Sequence, residues 1–320
     1  MMRGSPKYGV ALLAAAGLLG AGCSSPRPAR PSDPDLERYA GSAQVSFRHG
    51  EYRQAEQLYR RALDRARAAD NALEIGNNAF NLAVCLVTMD RDEEARPFLR
   101  EARAELERAG ENTTETILLE ATAARKSGRA EESAALVAEA RARLKSGRDR
   151  SLLVQATLIE AQLACDRGDS PQAALVLESV ARDLKRVDDP LIRGRFAGLQ
   201  ARVAWMTAQP GACAAWLDEE AAWYRKAGGR PQELAAVLRR AGEAWAQAGG
   251  YREAADRYYR AARSMYAQGD TVAALKCIEP ALSAAQQAEA PELFRQITVL
   301  FEEIGRKVGE TREKTDPGTK

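Results

Sequence analysis

Few side chains in this sequence could carry catalytic or metal chemistry. His49 is the single histidine among 320 residues, and it precedes Gly50 at a predicted turn. A Ser-His-Asp triad or a histidine-based zinc site therefore lacks its imidazoles. His49 is better explained as a cation at a helix C-terminus, where the helix dipole favours it. Acid pairs such as Asp188-Asp189 fit helix caps or solvated faces, and no CxxC spacing or glycine-rich phosphate loop is present. The sequence predicts a non-enzyme with no cofactor and no metal site.

Cys23 is the residue with the clearest expected chemistry. Arg3 and Lys7 precede an apolar run from Val10 to Leu19, and small residues then lead to Cys23. This is the layout of a signal peptide, predicted over residues 1–22. The apolar run is shorter than the ~20 residues that a membrane-spanning helix needs.

The segment Leu19-Gly20-Ala21-Gly22-Cys23 resembles the bacterial lipobox, although Gly20 stands where that motif usually has leucine. The resemblance implies a diacylglycerol thioether on Cys23, and Ser24 after it implies sorting to the outer membrane, with the protein facing the periplasm. An ordinary secretory signal is the alternative. Residues 23–34 contain several prolines and no large apolar side chain, which predicts an extended tether.

The charge pattern argues against nucleic acid as a partner. The net charge of +2 comes from Arg3 and Lys7, so the chain after the signal peptide is neutral. Acidic and basic residues alternate along it, as is typical of solvated helix faces. Alanine, leucine, arginine and glutamate dominate while aromatics make up only 6%, and this composition favours helices throughout.

From residue 35 to residue 308 the chain repeats a helix, a short break and a second helix. The breaks recur every 38 to 41 residues, beginning at Gly50 and ending at Gly249. We count fourteen helices, the last two over Thr271–Ala288 and Pro291–Lys307, followed by a polar tail over 309–320 that we predict to be disordered.

The residues around the breaks resemble the tetratricopeptide repeat. In the clearest copy, Gly50-Glu51-Tyr52 precedes Ala55, Tyr59 and Ala62, and a similar series follows Gly249. The resemblance implies an all-α, right-handed superhelical solenoid of about seven helical hairpins, with small residues such as Ala55 where two helices cross. Because each repeat contacts its neighbours, most cysteine pairs would lie beyond the ~6 Å Cα separation of a disulfide. We therefore expect buried thiols, with one bridged pair as the alternative.

All four tryptophans lie between residues 205 and 245, in the fifth and sixth repeats. Trp245 fits a packing position, whereas the resemblance puts Trp205 on the helix face that lines the concave groove. Arg195 and Arg202 are near it, and Arg239 is expected on the corresponding face of the next repeat. Tryptophan and arginine are enriched in binding interfaces, so we expect this groove patch to contact a partner.

The expected function is a non-catalytic scaffold or adaptor, anchored to the cell envelope by its lipid and binding other envelope proteins or peptides in the concave groove. Assembly or recruitment of an envelope complex is the role that the resemblance to tetratricopeptide lipoproteins suggests. The alternative is a module that binds a glycan or small ligand for an envelope enzyme.

Overall fold

The computed structural model describes residues 33–144 and 149–315, which form fourteen α-helices and no strand. Successive helices pair as antiparallel hairpins, each with a first helix (helix A) and a second (helix B). The A helices are α1 (Pro34–Arg48), α3 (Ala72–Thr88), α5 (Thr114–Lys126), α7 (Arg150–Asp166), α9 (Pro190–Met206), α11 (Pro231–Gln247) and α13 (Thr271–Gln287). The B helices are α2 (Tyr52–Ala68), α4 (Asp92–Ala109), α6 (Ala130–Arg143), α8 (Ser170–Leu184), α10 (Pro210–Ala227), α12 (Tyr251–Ala267) and α14 (Pro291–Thr315).

One residue with positive φ ends helix A in every hairpin. A left-handed residue at this place lets the last N–H groups bond back to free carbonyls of the helix, as when the Glu51 N–H donates to Ser46 O at 2.9 Å. These residues recur at intervals of 38 to 41, at Gly50, Asp90, Gly128, Gly168, Ala208, Gly249 and Glu289. The interval confirms the repeat that the sequence predicted, and position within a repeat can be counted from this turn residue.

Side-chain caps fix several helix starts. Asp33 Oδ1 accepts N–H bonds of 3.0 and 3.2 Å from Asp35 and Leu36, and Asp189 caps α9 in the same way. Such a cap satisfies N–H groups that lack a partner inside the helix. In α8, Asp169 accepts the Gln172 N–H at 3.0 Å, and Ser170 is already helical.

Small residues lie where helices cross. Ala55, Ala95 and Ala254, each five residues after a turn residue, are fully buried, as the sequence predicted. In the sixth hairpin the ring of Tyr258 packs so closely on Gly242 that a Cβ there would lie 2.9 Å from the ring. Close approach of this kind requires glycine or alanine on one helix. Cores of buried apolar side chains therefore run along the stacked hairpins.

The cysteines of the described chain are free and buried, as expected: Cys85, Cys165, Cys213 and Cys277. Burial raises the pKa of the Cys85 thiol to about 12 and shifts the other three in the same direction. A raised thiol pKa leaves little reactive thiolate at neutral pH. These residues pack as small apolar side chains.

Helix α14 continues to Thr315, beyond Lys307 where we predicted the last helix to end, and through the first part of the expected polar tail. The signal peptide, Cys23 and most of the tether lie outside the described residues. Asp33 and Pro34, which we had placed in the tether, cap and begin α1. Among the described helices, none is long and apolar enough to cross a membrane.

Candidate functional site

Four helices of the fourth, fifth and sixth hairpins enclose a cavity of about 550 Å³. Helix α9 supplies more of its lining residues than any other helix, so we call it the α9 cavity. Its volume lies in the range of ~300–1,000 Å³ that is typical of ligand sites. The charged and aromatic side chains that line it are Arg195, Arg202, Trp205, Glu220, Tyr224, Arg240 and Glu243.

The repeat explains why these side chains share one wall. Gln162, Arg202 and Glu243 each lie six residues before the turn residue of their hairpin, on successive A helices, and all three line the cavity. Equivalent residues of stacked hairpins form a continuous surface along the solenoid. The α9 cavity is therefore part of the surface formed by the A helices.

Trp205 projects its indole at this surface. Its side chain is 42% exposed, although large aromatic residues usually bury most of their area. The other three tryptophans are partly buried. Trp216 packs edge-on against Phe196, and Trp245 donates its indole N–H to Asp218 at 3.0 Å. Trp205 thus differs from the other tryptophans in exposure.

Arg195 and Arg202 line the cavity together with Trp205, whereas Arg239 does not. Arg239 is exposed and acts electrostatically on Tyr258 of α12 and on Cys277 of α13. One residue along a helix corresponds to a rotation of ~100°. The neighbouring Arg240 lines the cavity instead, and a role of Arg239 in binding a partner stays a prediction.

The buried carboxyl of Glu220 is a feature that we did not anticipate. Glu220 is only 6% exposed, its Oε2 atom lacks a hydrogen-bond partner in the described chain, and Arg240 Nη2 lies 3.6 Å away. Burial raises its pKa to about 7, and Arg240 opposes the rise. Gly198 makes room for this carboxyl, since a Cβ there would lie 2.7 Å from Glu220 Oε1.

A comparison of the residues at equivalent positions of the hairpins could have identified Glu220 from the sequence. It lies twelve residues after the turn residue Ala208. In the other hairpins, except the last, the residue at this position is buried and small or apolar: Ala62, Ala102, Ala140, Val180 and Ala261. An acid at a position that otherwise takes alanine or valine departs from the packing rule of the repeat. Departures of this kind are expected at functional sites.

Comparisons with known proteins agree with this architecture. The family model described as tetratricopeptide repeat matches residues 37–107. The chain resembles NprR in complex with its cognate peptide NprX, with a TM-score of 0.57 and 10% identity over 90% of this chain and 84% of that one. By fold, the chain is a solenoid of tetratricopeptide-like helical hairpins. It also resembles a Rap protein complexed with Competence and Sporulation Factor, with a TM-score of 0.52 and 12% identity over 86% of this solenoid and 99% of that chain.

A third similar structure is a signal transduction ATPase from Pyrococcus horikoshii with a tetratricopeptide-repeat sensor, with a TM-score of 0.52 and 14% identity. The solenoid covers 41% of that chain, and 81% of the solenoid is aligned. The curated proteins contain no match to this sequence. At these identities the likeness concerns the fold.

Proposed function

We propose that this protein is a non-catalytic adaptor that binds a polypeptide segment of a partner protein in the α9 cavity. The observation that carries the proposal is the exposed indole of Trp205 in a cavity that three successive A helices and the B helix α10 line together. The tetratricopeptide-repeat fold is suited to protein–protein interaction, and two structures of similar fold are described with a peptide or a factor bound.

The chemistry of the cavity supports a polypeptide better than a glycan. Its lining combines an indole with arginines and carboxyls. Three arginines line the cavity against the single amide of Gln162, and Arg202 lies one helical turn from Trp205. Aromatic and arginine side chains are enriched where proteins bind proteins. The amount of protein that is recovered with purified cell wall tests the alternative of glycan binding directly.

We also propose that the adaptor is held at the bacterial envelope by a lipid on Cys23. The support is the sequence of the amino terminus, where a short apolar run and three small residues precede this cysteine. Two or three acyl chains suffice for stable anchoring. The outer membrane, with the solenoid facing the periplasm, is the location that Ser24 suggests, and recruitment of an envelope complex is the role that follows.

Fractionation of cells tests the anchor. The protein with Cys23→Ser should leave the membrane fraction and appear in the soluble periplasm, while Cys85→Ser, a change at a buried thiol, should remain with the membrane. Full retention of Cys23→Ser in the membrane fraction would show that the anchor assignment is wrong.

A further inference from the structure

The last helix, α14, turns two phenylalanine side chains towards solvent. Phe294 is 39% exposed and Phe301 is 48% exposed. They lie five and twelve residues after the turn residue Glu289. In the six preceding hairpins the residues at these two positions are buried, and most of them are alanine. The end of a solenoid ordinarily has a polar outer face, so two exposed phenyl rings at this place need an explanation.

The phenylalanines also change how α14 packs. A phenyl ring does not fit where two helices cross on alanine, and the buried side of α14 is shifted by one residue relative to the other B helices, to Ile297, Leu300 and Ile304. One residue corresponds to a rotation of ~100° about the helix axis. Helix α14 therefore has two apolar faces, one in the core of its own chain and one exposed.

The exposed face alternates large and small residues. Phe294, Thr298, Phe301 and Gly305 are separated by four, three and four residues, so they form one line along the helix, which we call the α14 stripe. Gly305 lies inside the helix, where glycine is unfavourable. A Cβ on Gly305 would meet nothing within 4 Å in the described chain. The packing of a single chain therefore does not require glycine at this position.

The order of residues in the α14 stripe is self-complementary for an antiparallel pair of helices. When two copies of α14 pack in opposite directions, Phe294 lies opposite Gly305 of the second copy, and Thr298 lies opposite Phe301 of the second copy. Each of the four contacts then joins a large residue to a small one, as ridges of one helix fit the grooves of another. A parallel pair in register would instead place phenyl ring on phenyl ring.

The charges beside the stripe fit the same arrangement. Arg295 and Glu302 lie on one flank of the stripe, seven residues apart, and both are exposed. In the antiparallel pair, Arg295 of each copy comes next to Glu302 of the other, because a two-fold axis repeats every contact. Within its own helix Arg295 forms an exposed ion pair with Glu292, which contributes little and is easily exchanged.

Other occupants suit the α14 stripe less well. A further hairpin would cover helix α13 as well, yet the exposed residues of α13 are mostly polar and include Lys276, Glu279 and Ser283. A lipid surface attracts basic helices, whereas the exposed charged residues of α14 up to Lys307 are three acids and three bases. Neither a hairpin nor an anionic membrane therefore matches the stripe as a second α14 does.

We propose that two copies of this protein pair through the α14 stripe, with their α14 helices antiparallel. The interface is the same surface on both copies, so the assembly closes at two. One pair of helices is a small interface, and we expect a dissociation constant of about 1–100 µM. Helix α14 does not line the α9 cavity, so each copy keeps that cavity open.

Sedimentation velocity of the purified protein at several concentrations measures the pairing. Phe301→Ser should raise the dissociation constant of the dimer by about tenfold or more, because it removes a ring from the centre of the interface. Val299→Ser is the matched control, since Val299 is 51% exposed on the same helix but lies outside the stripe. It should leave the dissociation constant unchanged. Both side chains are exposed, so both variants should fold.

Gly305→Gln separates pairing from folding. Glutamine is a better helix former than glycine, and the single chain has room for its side chain, so the melting temperature should not fall. In the dimer the same side chain occupies the space that Phe294 of the second copy needs. The dissociation constant should therefore rise by about tenfold. A Gly305→Gln dimer as tight as that of the parent would show that the helices do not pack on this stripe.

A charge exchange tests the antiparallel direction. Arg295→Glu and Glu302→Arg should each weaken the dimer, because each places like charges opposite one another. An equimolar mixture of the two variants should form a heterodimer in which both pairs again have opposite charges, with about the affinity of the parent. A mixture that associates no better than the separate variants would exclude this arrangement.

Two further results would overturn the proposal. A dimer that Phe301→Ser leaves unchanged uses another face. A protein that stays monomeric over the whole range has another occupant on the stripe. In that case, binding to vesicles of phosphatidylethanolamine and phosphatidylglycerol that Phe301→Ser abolishes would identify a lipid surface as that occupant.

Discussion

The phenolic hydroxyl of Tyr52 in α2 donates a hydrogen bond of 2.8 Å to Oε1 of Glu233 in α11, across 181 residues of sequence. Beside it, the guanidinium of Arg230 lies 5.8 Å from the centroid of the Phe47 ring. We call these four residues the hairpin clasp. Hairpins in a solenoid ordinarily contact their sequence neighbours, so the clasp adds a contact between the first and sixth hairpins. Tyr224 of the α9 cavity acts electrostatically on Tyr52, which places the clasp next to the cavity.

Two adjacent glycines offer a test of the clasp. Gly228 and Gly229 both have positive φ, so alanine is strained at either position. A Cβ on Gly229 would lie 1.8 Å from the carbonyl oxygen of Arg48, whereas a Cβ on Gly228 would meet nothing within 4 Å. Gly229→Ala should therefore lower the free energy of unfolding by about 1–3 kcal/mol more than Gly228→Ala does in chemical denaturation. Equal losses would show that the two hairpins do not touch in solution.

The turn residue Ala208 offers a stabilising substitution. It has φ of 53°, where a Cβ is disfavoured, while four other hairpins use glycine at the same position. Ala208→Gly should raise the free energy of unfolding by about 1 kcal/mol, because the left-handed conformation costs alanine ~1–2 kcal/mol and the added chain entropy offsets part of the gain. Ala215→Gly, inside α10 at an exposed position, should lower it by about 1 kcal/mol. A loss of stability at both positions would place Ala208 outside the turn.

Ala254 tests the packing register of the repeat. It is fully buried where helices of the sixth hairpin cross, so leucine must push backbones apart. Ala254→Leu should lower the melting temperature, with a cost of about 1–3 kcal/mol. Ala236→Leu is the control, since Ala236 is exposed on α11 and leucine suits a helix. An unchanged melting temperature for Ala254→Leu would show that Ala254 does not lie at a helix crossing and that the assigned repeat register is wrong.

Glu220 gives the fold a dependence on pH. Its carboxyl titrates near 4.5 when unperturbed and near 7 in the fold, where burial is the main cause. Between these values the folded chain holds a proton that the unfolded chain has released. The free energy of unfolding therefore falls as the pH rises from about 4.5 to about 7, by up to about 3 kcal/mol at ~1.4 kcal/mol per pH unit.

Chemical denaturation of the parent and of Glu220→Gln, at several pH values, measures this contribution. Glutamine has nearly the same shape and does not ionise. The parent should lose stability relative to Glu220→Gln as the pH rises through this window, and the difference should level off above it. A constant difference across the window would mean that Glu220 titrates normally and is solvated.

Much of the fold could be predicted from sequence, because hairpin turns are local. Gly50, Gly128 and Gly249 mark their turns by residue type, and Ala55 and Ala254 mark helix crossings at fixed distances from them. The resemblance to the tetratricopeptide repeat put Trp205 on the groove face with Arg195 and Arg202 near it, and these three residues line the α9 cavity.

What could not be predicted depends on geometry that accumulates along the solenoid. The contact between Tyr52 and Glu233 follows from the sum of small rotations between successive hairpins, which residue types do not specify. Arg239 and Arg240 differ by ~100° around α11, and the choice between them needs the rotation of that helix about its axis. The sequence shows that Glu220 is an acid at a position where the other hairpins, except the last, have alanine or valine. Its burial also depends on the space that the neighbouring Gly198 leaves, which the sequence does not show.

The most direct measurement of the central claim is recovery of partner proteins from envelope extracts on immobilised protein carrying Trp205→Ala, identified by mass spectrometry. Trp223→Ala is the control, because Trp223 lies outside the cavity lining, and the cations of Arg193 and Lys226 lie 5.0 and 5.1 Å from the centroid of its ring. A tryptophan at the centre of an interface contributes ~2 kcal/mol or more, so Trp205→Ala should reduce partner recovery by about tenfold or more at unchanged helicity and melting temperature. Full recovery of the same partners by Trp205→Ala would contradict the assignment of the α9 cavity as the binding site.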